Sequence, residues 1–195
     1  YVPLMGHIAG LIARTDDSRG VHKAPAGTLA VLRGVRQFQQ VVTDTDIDTL
    51  LPAKVNSCIS LRGIGNVCWG ARTLSSDSNY RYIPVRRTLN YIEESISDGL
   101  KWAVFEPNDS KLWSKLRLSV QAFLLSTWRT GALQGVKPSE AFYVKCDSTT
   151  NPQSEIDLGR VHVEIGVAPV KPAEFVIIQI GLWDGGRLVR ELASM

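Results

Sequence analysis

Residues 69–77 read WGARTLSSD, which places Arg72, Ser75, Ser76 and Asp77 within six positions. A serine there could act as a nucleophile if His7, His22 or His162 met it in space, because such triads assemble across a fold and not along a chain. The Gly-x-Ser-x-Gly turn that often announces this chemistry is missing from the sequence. The structural alternative gives each residue a quieter duty. Arg72 pairs with a carboxylate, while Ser75, Ser76 and Asp77 satisfy backbone groups in a turn.

Other chemistry fares no better. RGIGNVCWG (62–70) offers a glycine-rich loop, but Cys68 stands where a dinucleotide fingerprint needs its third glycine, and a strand rather than a helix is expected to follow. No Walker Lys-Ser/Thr pair occurs. The histidines are far apart, and Cys58, Cys68 and Cys146 lack metal-ligand spacing, so neither a zinc site nor any cofactor is expected. Odd in number, the three cysteines read as reduced, mostly buried thiols of a protein made in a cytoplasm. His162, between Val161 and Val163, reads as a strand residue, and Glu93 and Glu94 as the solvated face of a helix.

The elements that must position these residues follow from periodicity. Helices are expected over 3–15 (Leu4, Ile8, Leu11, Ile12), over 85–98 (Val85, Leu89, Ile92, Ile96) and over 110–130. The last carries Leu112, Trp113, Leu116, Val120, Phe123, Leu124 and Trp128 on one stripe, with Asn108 or Asp109 as cap and Gly131 as stop. A short helix capped by Thr43 or Asp44 should close near Pro52, and another should occupy 151–159. Residues 16–27 read as an ordered loop. Strands are expected at 57–61, 67–71, 80–85, 141–147, 160–170 and 173–183, KWAVF (101–105) suits a short buried strand, and 30–42 alternates weakly as a further one. Helices interspersed with strands that meet through tight turns predict an α+β fold, a mainly antiparallel sheet flanked by helices.

Length and charge bound the rest. One well-packed domain is expected from 195 residues, 44% of them apolar. The net charge of +3 is spread over 22 basic and 19 acidic residues with no block of one sign, which argues against a nucleic-acid partner. The apolar runs are far shorter than the about 20 residues of a membrane-spanning helix, so no membrane insertion is expected. The opening Tyr-Val-Pro-Leu reads as an interior or C-terminal piece of a longer polypeptide.

Four ordered blocks, GHIAGLIARTDDSRGVHKAPAG (6–27), GNVCWGARTLSSDSNYRYIPVRRTLNYIEESI (65–96), WAVFEPND (102–109) and IGVAPVKPAEFVIIQI (165–180), resemble the C-terminal part of contractile tail sheath proteins. That family covers contractile-tailed phages, R-type bacteriocins and extracellular contractile injection systems, and the likeness is to its single-chain branch rather than to the heterodimeric type VI sheath.

The resemblance implies a structural protein, not an enzyme. Copies would stack as hexameric rings around an inner tube protein, between a baseplate and a tail terminator, and contract to drive the tube through a target envelope. It would be made in a bacterial cytoplasm and end in a virion tail or phage-tail-like particle. A baseplate or terminator component sharing the same core is the alternative. The resemblance also divides the chain into an inner core domain, 1–183, and an extended C-terminal arm, 184–195. The arm, Asp184, Gly185, Gly186, Arg187, Leu188, Val189, Arg190, Glu191 and Leu192, would be donated as a strand to a neighbouring subunit, with Asp184 to Gly186 as its elbow. Lys111, Lys115 and Arg117 become candidates for facing an acidic tube surface. Trp69, Arg72, Ser75 and Asp77 become a joint in the core, in which Trp69 packs and Arg72 anchors.

Overall fold

The computed structural model describes residues 2–174 in full and the backbone of 182–184 and 187–189. Its elements run α1 (Met5–Arg19), α2 (Asp44–Leu50), β1 (Ser57–Leu61), β2 (Gly65–Trp69), α3 (Ile83–Gly99), α4 (Ser110–Arg129), α5 (Pro138–Ala141), β3 (Phe142–Lys145), α6 (Gln153–Asp157), β4 (Glu164–Val167), β5 (Leu182–Asp184) and β6 (Arg187–Val189). The fold is α+β. Among the described residues its strands form three separate antiparallel pairs, β1 with β2, β3 with β4, and β5 with β6, in place of one continuous sheet.

α4 is the spine. Asp109 caps it by accepting the amides of Lys111 and Leu112, each at 2.9 Å, and the chain leaves it through Gly131, whose φ of 81° favours a residue without Cβ. Leu112, Leu116, Val120 and Leu124 recur every fourth residue and are all buried, so one helix serves two clusters. Val120 and Leu124 pack with Ile92 of α3, Leu133 and Ala141, against which β3 and β4 lay Phe142, Val144, Ile165 and Val167. Leu112 and Leu116 pack with Cys146, Trp113 and Val161. A third cluster lies on α1, where Leu11 meets Ala30, Leu32 and Cys68.

Two polar devices join these parts. Asp16 of α1 accepts both Nη groups of Arg87 of α3, at 2.8 and 2.6 Å. Asp16 lies in the stretch read as loop, 16–27: α1 continues into it as far as Arg19 and ends at Gly20, φ 86°. The fully buried Asn151 holds residue 162 as a strand would, accepting its amide at 2.6 Å and donating to its carbonyl at 3.1 Å. His162 therefore lies outside any strand, and its exposed ring meets Glu155 at 2.8 Å.

Besides the 160–163 part of the strand expected at 160–170, three strand expectations are corrected. Residues 30–42 pair with the free edge of β2 as backbone only around Val31, through Leu32 N to Asn66 O and Cys68 N to Ala30 O; Gly34, φ 80°, then turns the chain, and Val35 is held by its carbonyl, which accepts the Asn66 side-chain amide at 2.8 Å. Residues 80–85 hold the end of a 3₁₀ turn and the start of α3, because Pro84 suits a first helical turn and α3 begins at Ile83. KWAVF continues the end of α3 as a 3₁₀ turn, Lys101–Ala103, and then reverses at Phe105, φ 69°. Trp102, Val104 and Phe105 are exposed, Phe105 completely, so this apolar run forms a surface knuckle.

Candidate functional site

The joint is built where β2 ends. Gly70 lets the chain pass against Asn56: a Cβ at position 70 would lie 2.8 Å from Asn56 Oδ1 and 2.9 Å from its Cα. Asn56 in turn clamps residue 72 like a strand partner, accepting the Arg72 amide and donating to its carbonyl, both at 2.8 Å. The Arg72 side chain is left pointing inward with three guanidinium bonds. Nε and Nη2 donate to the two carboxylate oxygens of Glu174, each at 2.7 Å, and Nη1 donates to the Leu51 carbonyl at 2.7 Å. Tyr82 adds its hydroxyl to Glu174 Oε2 at 3.3 Å. With side-chain exposures of 14% and 16%, this is a largely shielded, two-pronged ion pair, whose fork geometry only arginine supplies.

Beyond Arg72 the loop is self-satisfied. The Thr73 hydroxyl accepts the amide of Ser75, the Ser75 hydroxyl accepts the amide of Asp77, and Asp77 accepts the amide of Asn79 at 2.8 Å. Thr73 N also donates to the Arg81 carbonyl at 2.7 Å, closing the loop onto the entry to α3. Ser75 thus spends its oxygen on the backbone, as a turn residue does. Trp69 is half-buried at the end of β2, opposite Ser57. Asn56, Tyr82, Glu174 and the Leu51 carbonyl complete the joint without having been singled out in the sequence; only the unmatched charge of Arg72 hinted that a partner must exist.

Lys111 and Lys115 are exposed in the first turns of α4, whereas Arg117 is half-buried and donates to the Cys146 carbonyl at 3.0 Å, committing it to the fold. Of the expected arm, Asp184 and Arg187 to Val189 are described as backbone. They belong to the β5–β6 hairpin, with Leu182 opposite Val189, Trp183 opposite Leu188 and Asp184 opposite Arg187. The hairpin straddles the boundary drawn between 183 and 184. Gly185, Gly186, Arg190, Glu191 and Leu192 lie outside the described residues. The Arg72 joint fixes the chain at Glu174, ahead of residues 184–192.

Among the described residues no three His, Cys, Asp or Glu side chains gather as a metal site, and no helix is long and apolar enough to cross a membrane.

Residues 75–182 match the family model described as phage tail sheath C-terminal domain. The chain is 31% identical over 180 residues to the tail sheath protein of Vibrio phage KVP40, covering 91% of this chain and 26% of that protein. In structure it is similar to a chain of the anti-feeding prophage helical sheath in its contracted state, with TM-score 0.85, 37% identity, and 91% of this chain and 50% of that one covered. A chain of the anti-feeding prophage baseplate is similar as well, with TM-score 0.88, 38% identity, and 92% and 50% covered. The sequence spans about a quarter to a half of the length of these relatives.

Proposed function

The chain belongs to the phage tail sheath C-terminal domain family, and from that premise we propose that it is the core domain of a contractile sheath subunit. The observation that carries the reading is that similarity to a contracted helical sheath runs over 91% of the chain at 37% identity. Copies stack as rings around an inner tube, join a baseplate at one end and a terminator at the other, and contract as a lattice. The role is structural, with no chemistry to perform, and the particle is a virion tail or a phage-tail-like device.

Three features support the assembly reading. The knuckle at Trp102, Val104 and Phe105 exposes apolar surface that a neighbouring copy would shield. The Arg72–Glu174 pair anchors the core just ahead of residues 184–195, which act as the arm donated to a neighbour. Lys111 and Lys115 supply positive charge for an acidic tube surface, a contact of the polar, releasable kind that contraction requires.

Electron microscopy of the full-length protein, with and without its tube protein and with residues 184–195 deleted, tests this. Helical cylinders that vanish on deletion are expected. Single rings or discrete particles indifferent to the deletion would refute the arm and favour a baseplate component, the second reading, which the similarity to a baseplate chain supports.

A further inference from the structure

Cys58 and Cys68 stand directly opposite each other in the β1–β2 pair. The amide of Cys68 donates to the Ala30 carbonyl at 3.0 Å, and its carbonyl accepts the Gly27 amide at 2.9 Å. Both backbone groups of Cys68 therefore turn away from β1, which makes Cys58 and Cys68 a non-hydrogen-bonded pair. Such partners bring their Cα atoms to about 4.5 Å with both side chains on one face, inside the range of about 4.4–6.8 Å that a disulfide spans. Both are free thiols here.

Their surroundings differ in a useful way. Cys68 is buried, whereas Cys58 is half-buried and opens onto a cavity of about 780 Å³ that His7, Arg36 and Gln37 also line. Arg36 is exposed at this cavity and presents positive charge to an anionic visitor. The Cys68 thiol donates to the Gly70 carbonyl at 3.6 Å. Two facing thiols favour a single thiolate held by the S–H that remains, which draws Cys68 down to about 7 and pushes Cys58 up. The third cysteine is separate: Cys146 packs against Leu112 and Leu116, under the Asn151 amide.

We propose that Cys58 and Cys68 form a thiol–disulfide exchange site, at which a small anionic disulfide of the glutathione class enters the cavity and converts the pair to a cross-strand disulfide. The pair's proton shifts to Cys68, and the Cys58 thiolate attacks one sulfur of the small disulfide. That S–S bond breaks, and the departing thiolate takes the proton from Cys68. Cys68, now a thiolate, attacks Cys58 Sγ, forming the protein disulfide and expelling the second small thiolate, which takes its proton from water in place of the one lost at the first ionisation. Two protein thiols are oxidised and one small disulfide is reduced to two thiols. The bond staples β1 to β2 within a subunit, a covalent state distinct from any contact of the assembly.

The test treats the full-length protein with oxidised glutathione and reads intact mass and peptide maps. A mass lower by two hydrogens, with Cys58 linked to Cys68 and Cys146 unmodified, is expected. Cys68→Ser should stop at one glutathionyl group on Cys58, and Cys58→Ser should form no cross-link. Phenylarsine oxide, which needs two thiols on one arsenic, gives a second reading on the unaltered chain: one equivalent bound, lost in either serine variant. A persistent glutathionyl adduct on Cys58 beside a free Cys68, reaction confined to Cys146, or no arsenical bound would overturn the proposal.

Discussion

Arg72 and Glu174 meet across 102 positions of sequence, and their bond ties the joint at the end of β2 to the chain that follows β4. Arg72→Ala strands a shielded carboxylate and leaves the Leu51 carbonyl with the Lys54 amide as its remaining donor. A loss of about 1–3 kcal/mol in urea unfolding is expected, with Arg72→Lys recovering only part because an ammonium cannot span both oxygens. The need of Arg72 for a carboxylate was legible from its type and setting. Its partner was not, since nothing local in KPAE distinguishes Glu174 from any other surface acid. Asp147 carries a pH prediction at the same scale. The Thr149 hydroxyl and then the Thr149 amide donate to it and hold its carboxyl below the ordinary 3.8. A depressed folded value means that its contribution is complete above the unfolded value and disappears as pH falls through the folded one. The melting temperature of Asp147→Asn should therefore decline less steeply than the parent's below about pH 4, as thermal scans across that window would register.

At the scale of elements, α4 was readable almost to its ends because its apolar residues keep the helical period and its cap and stop are both explicit. Leu124 is its most enclosed member, with no exposed surface. Leu124→Ala should cost about 2–5 kcal/mol, measured by the shift in urea midpoint. Gly70→Ala tests close approach, not burial: its new methyl meets the backbone of Asn56, and a loss of about 1–3 kcal/mol is expected in the same assay. The misread elements share one cause. KWAVF and residues 30–42 have the composition of strands, but a strand needs a partner edge, and periodicity carries no information about edges. Left-handed residues at Phe105 and Gly34 end both runs, and only the glycine is a sequence signal for such a turn. The division of the strands into three pairs was equally hidden, because pairing partners are set by tertiary packing.

For the whole molecule, the assembly reading makes its prediction through charge. Lys111→Glu with Lys115→Glu should reduce co-sedimentation of the full-length subunit with its tube protein, while the unfolding midpoint stays unchanged because both side chains lie in water. Unchanged co-assembly would remove these lysines from the tube contact. The fold class and the family blocks were legible at this scale. The surface that a second copy would cover was not, since Trp102, Val104 and Phe105 had every mark of a core segment until the left-handed turn exposed them.

Asn151 has one more consequence, for chemical ageing. An asparagine decays when the next residue's backbone nitrogen attacks its side-chain carbonyl and closes a five-membered ring. The next residue here is Pro152, whose nitrogen carries no hydrogen and is already in a ring, and the carbonyl itself is engaged by the amide of residue 162 at 2.6 Å. The amide on which this loop depends is therefore protected against slow deamidation, giving the fold a shelf life set by something other than its most deeply buried asparagine.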